Sequence, residues 1–263
     1  MNIKYPNPYY TSIDQNYSLI LGDSLEILNS LPDESIDVVF ADPPYFLSND
    51  GITCSGGKMV SVNKGSWDKK NSFEDIYQFN LAWLKEAKRI LKPNGTLWVS
   101  GTLHNIYTVG FILQKLDYKI LNNITWQKTN PPPNLACRTF THSTETIIWA
   151  KKSKKAKHYF NYDLMKSWNS GKQMKDVWTT SITKKSEKSF GKHPTQKPLE
   201  LLERIILSST QEGDVVLDPF NGSGTTGVAC YEYNRNYIGI DINPTYLDIT
   251  INRINHTAKK FSI

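Results

Sequence analysis

The stretch "DVVLDPFNGSGTTGVACYEYNRNYIGID" (Asp214–Asp241) limits the fold more than any other. A short apolar run ends at an acid, a glycine-rich turn and a helical pattern follow, and a second apolar run ends at a second acid. Continuous apolar runs suit strands buried on both faces of a parallel sheet, and parallel strands need a crossover between them. Gly222, Gly224 and Gly227 stand at G-x-G-x-x-G spacing, with Asp241 19 residues after Gly222. In that fingerprint the glycines allow a tight turn and close approach, and the acid serves ribose hydroxyls. A P-loop is excluded, because Val228 stands where lysine is required.

The rest of the chain repeats the alternation. Strands are predicted at Tyr17–Asp23, Ile36–Asp42, 96–101, 118–128 and Thr144–Lys152, and helices at 24–31, Phe73–Leu91, 103–116 and Lys197–Thr210, with a closing helix at 244–258. This is an α/β pattern with a doubly wound, mostly parallel sheet, a Rossmann-like architecture. The glycine loop lies late, and one β-α-β unit follows it. Earlier strands must complete the sheet, so the order is circularly permuted, with cofactor elements last. Residues 46–72 lack periodicity and predict a long loop.

Composition narrows the class. Of 263 residues 39% are hydrophobic, enough for a core. No 18-residue apolar run and no signal-type N-terminus are visible, so a cytoplasmic protein without a membrane span is expected. Cys54, Cys137 and Cys230 form no C-x-x-C pair, which predicts buried thiols and no metal site. The net charge of +6 is concentrated: residues 151–192 hold twelve lysines, no arginine and three acids. Tyr159, Phe160, Tyr162, Trp168 and Trp178 are interleaved with those lysines. This predicts a basic target-recognition insert at 151–192, set into a catalytic and cofactor-binding domain formed by 1–150 and 193–263, with nucleic acid as partner.

"VVFADPPYFLSNDG" (Val38–Gly51) carries the chemistry. Asp42 ends an apolar run, and ligands of open α/β sheets sit at the carboxyl ends of strands. Pro43 and Pro44 stiffen the exit and lack N–H donors while keeping their carbonyls. A carboxylate, a carbonyl and the ring of Tyr45 suit a planar ligand bearing an amino group.

"DPPY" with "DPFNGSGTTG" resembles the β group of S-adenosylmethionine-dependent DNA amino-methyltransferases. Asp rather than Ser at the first position is similar to the adenine-N6 members. "NITWQKTNPPPNLACR", "THSTETIIWA", "NYDLMK", "GKQMKDVWT" and "GKHPTQKP" resemble the DpnA-type GATC enzymes of restriction-modification systems. The likeness runs from about Tyr17 to Tyr246. It implies that Asp42, Pro43, Pro44 and Tyr45 are catalytic, with Asp42 and the Pro43 carbonyl holding the adenine amine and Tyr45 stacking on the base. It further implies that Phe220, Gly222, Ser223 and Gly224 hold the methionine moiety, with Asp42 beside the cofactor, that Asp241 holds the ribose, and that Asp23 and Ser24 lie beside the cofactor adenine. Thr195, Lys197 and Pro198 meet the methionine carboxylate. For Lys197 the sequence adds its own reason: an ammonium near a helix N-terminus with free N–H groups is a carboxylate site. DNA, double- or single-stranded, is the implied partner, and a homodimer the implied assembly.

Three other readings stay open. A cytosine-N4 or RNA amino-methyltransferase would use the same chemistry. An NAD-dependent oxidoreductase would use the glycine loop but leaves Asp-Pro-Pro-Tyr unexplained. A non-catalytic nucleic-acid binder leaves both motifs unexplained. His104, His142 and His193 are read as packing or hydrogen-bonding residues rather than general bases.

Overall fold

A computed structural model describes residues 3, 6, 8–45, 52–55, 58–61 and 72–261. In chain order the elements are β1 (Tyr10–Thr11), β2 (Tyr17–Leu21), α1 (Ser24–Ser30), β3 (Ile36–Ala41), β4 (Ile52–Ser55), β5 (Lys58–Ser61), α2 (Phe73–Ile90), β6 (Leu91–Gly101), α3 (Ile106–Lys115), β7 (Lys119–Lys128) and β8 (Thr144–Lys151). Then follow α4 (Tyr162–Trp168), β9 (Val177–Thr180), α5 (Leu199–Ser209), β10 (Val215–Asp218), α6 (Thr225–Glu232), β11 (Asn236–Asp241) and α7 (Pro244–Phe261).

Nine strands form one sheet in the order β1-β2-β11-β10-β3-β6-β8-β7-β9. The pairs from β2 through β6 are all parallel. The last β-α-β unit of the chain therefore sits mid-sheet, between β2 and β3, as the permuted order requires. Side chains on each strand alternate between two cores. On β3, Val39 and Ala41 pack with Leu28, Trp83, Leu84 and Ile112 of α1–α3. Val38 and Phe40 face the opposite side, with Leu201, Ile205, Val228 and Leu247 of α5–α7. The chain leaves β10 for β11 in one direction and β3 for β6 in the other. The β10/β3 boundary is thus the switch point, where a crevice opens at the carboxyl ends.

Local sequence explains the ends. Asp23 caps α1 by accepting from the Leu25 and Glu26 N–H groups. Ser72 and Asp75 form a capping box on α2, and Lys88 and Arg89 occupy its last turn, where the helix dipole favours cations.

Several expectations change. The stretch 46–72 lies mostly outside the described residues, yet β4 and β5 pair antiparallel within it. Cys137 is exposed rather than buried, in the 129–143 loop. The segment 151–192 is not a body apart from the sheet. Its β9 pairs in parallel with β7, and Trp178 and Met165 are buried. The segment also spans both ends of the sheet. At one end Lys151 pairs with Thr96 of β6 and the Lys157 N–H donates to Asn94, while Thr180 adjoins Lys128 at the other. Aromatic residues explain why it is tied in: Trp98 stacks on Trp149 at 4.7 Å, and Trp178 joins them at 6.1 Å.

Candidate active site

Four neighbouring parallel strands bring an acid to one edge of the sheet. Asp23 follows β2, Asp241 ends β11, Asp218 ends β10 and Asp42 follows β3. All four line a cavity of about 330 Å³ at the switch point. Ser24, Pro43, Pro44, Tyr45, Thr195, Lys197, Phe220, Gly222 and Ser223 line it too. Two expected site residues do not. Pro198 is the N-cap of α5. Gly224, at φ 71°, is a packing glycine whose added Cβ would lie 2.2 Å from Thr250 Cγ2.

Asp42 is held on both oxygens. Tyr45 Oη donates to Oδ1, and Lys197 Nζ donates to Oδ2 at 2.5 Å. Lys197 also donates to Tyr45 Oη at 2.9 Å and lies 3.5 Å from Glu145 Oε2. Burial opposes the Lys197 charge, but Asp42, Tyr45 and Glu145 outweigh it and hold its pKa well above the ordinary value. Burial and the Asp42 charge push the Tyr45 phenol up.

Tyr45 is buried and its ring forms a wall of the cavity, with its hydroxyl bonded to Asp42 and Lys197. This geometry corrects one expectation. Lys197 does not combine an open ammonium with open helix N–H groups. The ammonium is drawn to Asp42, and the first N–H of α5, on Leu199, is taken by the Glu187 carboxylate at 2.8 Å.

The glycine loop is rigidly braced. Gly222 adopts φ 51°, and its N–H donates to Asp241 Oδ2 at 2.7 Å. Asn221 donates to the Gly222 carbonyl and to Thr250, and accepts from Tyr237. Arg253, buried on α7, donates to the Ser223 carbonyl and to Thr225. Ser24 ties α1 to the loop through the Pro219 carbonyl at 2.5 Å. Burial lifts Asp218 to about 7, although Thr226 and the Phe220 N–H donate to it. Burial lifts Asp241 to about 6.

The DNA methylase family matches residues 36–252. The chain belongs to this family. It is 62% identical over 248 residues to the type II methyltransferase M2.DpnII of Streptococcus pneumoniae, covering 94% of this chain and 92% of the relative. It is 61% identical over 252 residues to M2.LlaDCHI of Lactococcus lactis subsp. cremoris, covering 95% and 93%. Among solved structures, the M1.HpyAVI–SAM complex matches with TM-score 0.68 at 27% identity, covering 91% and 99%. The cytosine-N4-specific PvuII DNA methyltransferase matches with TM-score 0.74 at 22% identity, covering 96% and 93%, a likeness of fold. The chain is a site-specific DNA methyltransferase, and S-adenosylmethionine is its cofactor.

The cavity of this DNA methylase fits that cofactor. Its sulfonium and ammonium are cationic, and four carboxylates face the cavity. Gln196 lines the cavity too, and its Oε1 is buried without a hydrogen-bond partner among the described residues, an acceptor suited to an ammonium. Phe40, Leu202 and Ile240 supply apolar surface. The same acids disfavour the diphosphate of NAD.

Asp218, Asn221, Gln196, Glu145 and Arg253 were not singled out from the sequence. Asp218 had a signal, since it ends an apolar run next to the glycine loop as Asp42 and Asp241 end theirs. Glu145 and Arg253 sit in regular strand and helix patterns that give no hint of their direction. His193 lines the cavity and packs edge-on against Tyr246 at 4.5 Å, whereas His104 and His142 are exposed.

Proposed function

We propose that this methyltransferase modifies the N6 amine of adenine in GATC sites, as the modifying partner in a restriction-modification system of the cytoplasm. The observation that carries the reading is the braced Asp42 lining an acidic cavity, after the strand next to the one that leads into the glycine loop. Bound S-adenosylmethionine supplies a methyl group already activated on sulfur. The protein's work is then positioning and electrostatics. Asp42 and the Pro43 carbonyl accept from the amino hydrogens and turn the nitrogen lone pair toward the methyl. A carboxylate has about four acceptor sites, so Asp42 keeps capacity for the amine beside Tyr45 and Lys197. Asp-Pro-Pro-Tyr supports adenine over cytosine, and the relatives named above support the GATC site.

A base within a duplex must leave the stack to reach Asp42, at a cost of a few kcal/mol, and the wall formed by Tyr45 offsets part of it. The register divides the expected recognition segment. The 129–143 loop and residues 181–192 stand at the catalytic edge, joined where Thr129 donates to the Thr180 carbonyl and Ile182 to Asn130. Phe140, 96% exposed, and Arg138 project from that loop. These two stretches form the DNA face, while Lys154, Lys155 and Lys157 lie at the far end of the sheet. A homodimer is supported by an exposed apolar strip of Leu103, Tyr107 and Phe111 at α3.

Transfer of a tritiated methyl group to defined single- and double-stranded oligonucleotides, followed by nucleoside identification, tests the reading. N6-methyladenine confined to GATC is expected. Label on cytosine, or on adenine regardless of sequence, would overturn it.

A further inference from the structure

Asp42 ends a line of alternating charge that runs back from the cavity. Lys128 Nζ meets Glu145 Oε1 at 2.6 Å, Glu145 Oε2 lies 3.5 Å from Lys197 Nζ, and Lys197 meets Asp42 at 2.5 Å. The four residues come from the end of β7, the start of β8, the approach to α5 and the exit of β3. None is a sequence neighbour of another, so the line exists only through the fold. The side chains of Lys197 and Glu145 are only 6% and 12% exposed, so water screens this pair weakly.

We propose that Glu145 is a positioning residue for methyl transfer, acting on Asp42 through the Lys197 ammonium. The three N–H groups of Lys197 face three acceptors: Asp42, Tyr45 and Glu145. With Asp42 as its sole counter-charge, the ammonium would act on Asp42 alone and weaken that carboxylate as an acceptor for the amine. Lys197 sits on Oδ2 at 2.5 Å, and Glu145, 3.5 Å away, is a second counter-charge that offsets part of the ammonium's pull on Asp42 and holds the ammonium in place. At 3.5 Å from Lys197 Nζ, Glu145 Oε2 stands at the outer limit of a hydrogen bond, so the contact is mainly ionic and directed at Lys197. Lys128 anchors the opposite oxygen and thereby the direction of the carboxylate. Lys128 also begins the 129–143 loop, and its N–H donates to the Ser143 carbonyl that closes that loop. The line therefore joins the root of the DNA-facing loop to the reacting carboxylate.

The inference rests on the methyltransferase reading, and the test separates the two. Wild-type protein, Glu145→Gln, Glu145→Asp, Lys197→Met and the Glu145→Gln/Lys197→Met double variant are compared for kcat on oligonucleotide and for cofactor Kd by calorimetry. If the wild type fails to methylate, the functional reading falls; the remaining outcomes judge Glu145. Glu145→Gln is expected to lower kcat about 10- to 100-fold, with cofactor Kd within about threefold. Glu145→Asp, which keeps the charge, is expected to recover most of the loss. In the Lys197→Met background Glu145→Gln is expected to add little, because residues acting through one another are not additive. Normal kcat in Glu145→Gln, or losses that multiply in the double variant, would overturn the proposal. If Glu145→Gln does not fold, the charge-balanced Lys128→Gln/Glu145→Gln pair replaces it, under the same kcat criterion.

Discussion

The acids on the two sides of the switch point are handled in opposite ways. Asp42, after β3, is ion-paired with Lys197 and bonded by Tyr45. Asp218 and Asp241, at the ends of β10 and β11, are bonded by backbone N–H groups and, for Asp218, by the Thr226 hydroxyl. A buried ammonium lies against the first carboxylate, while a carboxylate held by dipoles in a dry pocket is pushed toward neutrality. The first half is complete as it stands. The second half holds negative charge in want of a cation, which the cofactor brings. On the proposed reading, the difference separates the carboxylate that accepts from the amine, fixed in advance, from acids whose charge is matched only when the ligand arrives.

The largest expected effect divides the halves directly. Asp42→Ala should lower methyl transfer by about a thousandfold or more, because it removes an acceptor aimed at the reacting nitrogen. Cofactor affinity should change less than tenfold. Single-turnover transfer with calorimetry on the same sample checks both, and a variant keeping near-normal turnover would remove Asp42 from the chemistry. Next is the binding side. Asp241→Asn should weaken cofactor affinity about 10- to 100-fold, the loss of a charge-assisted contact, while kcat at saturation stays within a few-fold. If kcat fell and Kd held, the division of labour would be wrong.

The glycines sharpen the same comparison. Gly222 lines the cavity, and the nearest atoms to a Cβ there belong to the His193 ring, at 3.2 Å. Gly224 faces the protein, and a Cβ there would overlap Thr250 at 2.2 Å; both glycines hold a φ that L-residues rarely adopt, so the overlap is what separates them. Gly224→Ala should therefore cost about 1–3 kcal/mol of stability, seen as a lower Tm without ligand. Gly222→Ala should show its main loss in cofactor affinity. Equal Tm shifts in the two variants would refute the distinction.

The half built on the last β-α-β unit was legible because its logic is local. Apolar runs, glycines at fixed spacing and a terminal acid lie within 28 residues, Asp214 to Asp241. Asp42 and its prolines were legible for the same reason. What braces them was not. Lys197 reaches Asp42 across 155 positions, and Arg253 reaches Ser223 from a helix whose pattern only announces burial. For the lysine segment, charge counted along the chain does not say which end of a sheet it decorates. The turn into β9 needed Trp178 to be read as core, and an aromatic among lysines looks like a nucleic-acid contact.

A milder effect follows from pH. Asp241 lies at about 6 and Asp218 at about 7, both raised by burial from the ordinary 3.8. Their ionised forms attract the cationic cofactor, so raising the pH through this window adds negative charge to the cavity. Cofactor Kd should tighten several-fold between about pH 5.5 and 8, and Asp218→Asn should flatten the upper part of that change. An affinity that is level across the window, or that weakens as pH rises, would contradict the raised values.

The smallest effect tests the far end of the sheet against the catalytic end. Lys154, Lys155 and Lys157 follow the end of β8, beside Asn94, and β6 must run from Thr96 to Gly101 before it reaches the edge where Asp42 emerges. At about 3.3 Å per residue that is roughly 17 Å of strand. Lys184 donates its N–H to Glu187, Lys185 and Lys192 lie near it in the chain, and Gln196, which donates to the Glu187 carbonyl, lines the cavity. For every phosphate that a lysine no longer neutralises, the slope of log affinity against log salt should fall by about 0.9 on duplex DNA. Neutralising the catalytic-edge trio should therefore flatten the slope by up to about three such steps, whereas neutralising the far trio should leave it nearly unchanged. If the far trio proves to carry the slope, the DNA must wrap past the sheet edge, and its binding surface would have to include Tyr159, Phe160 and Tyr162, which are exposed beside those lysines.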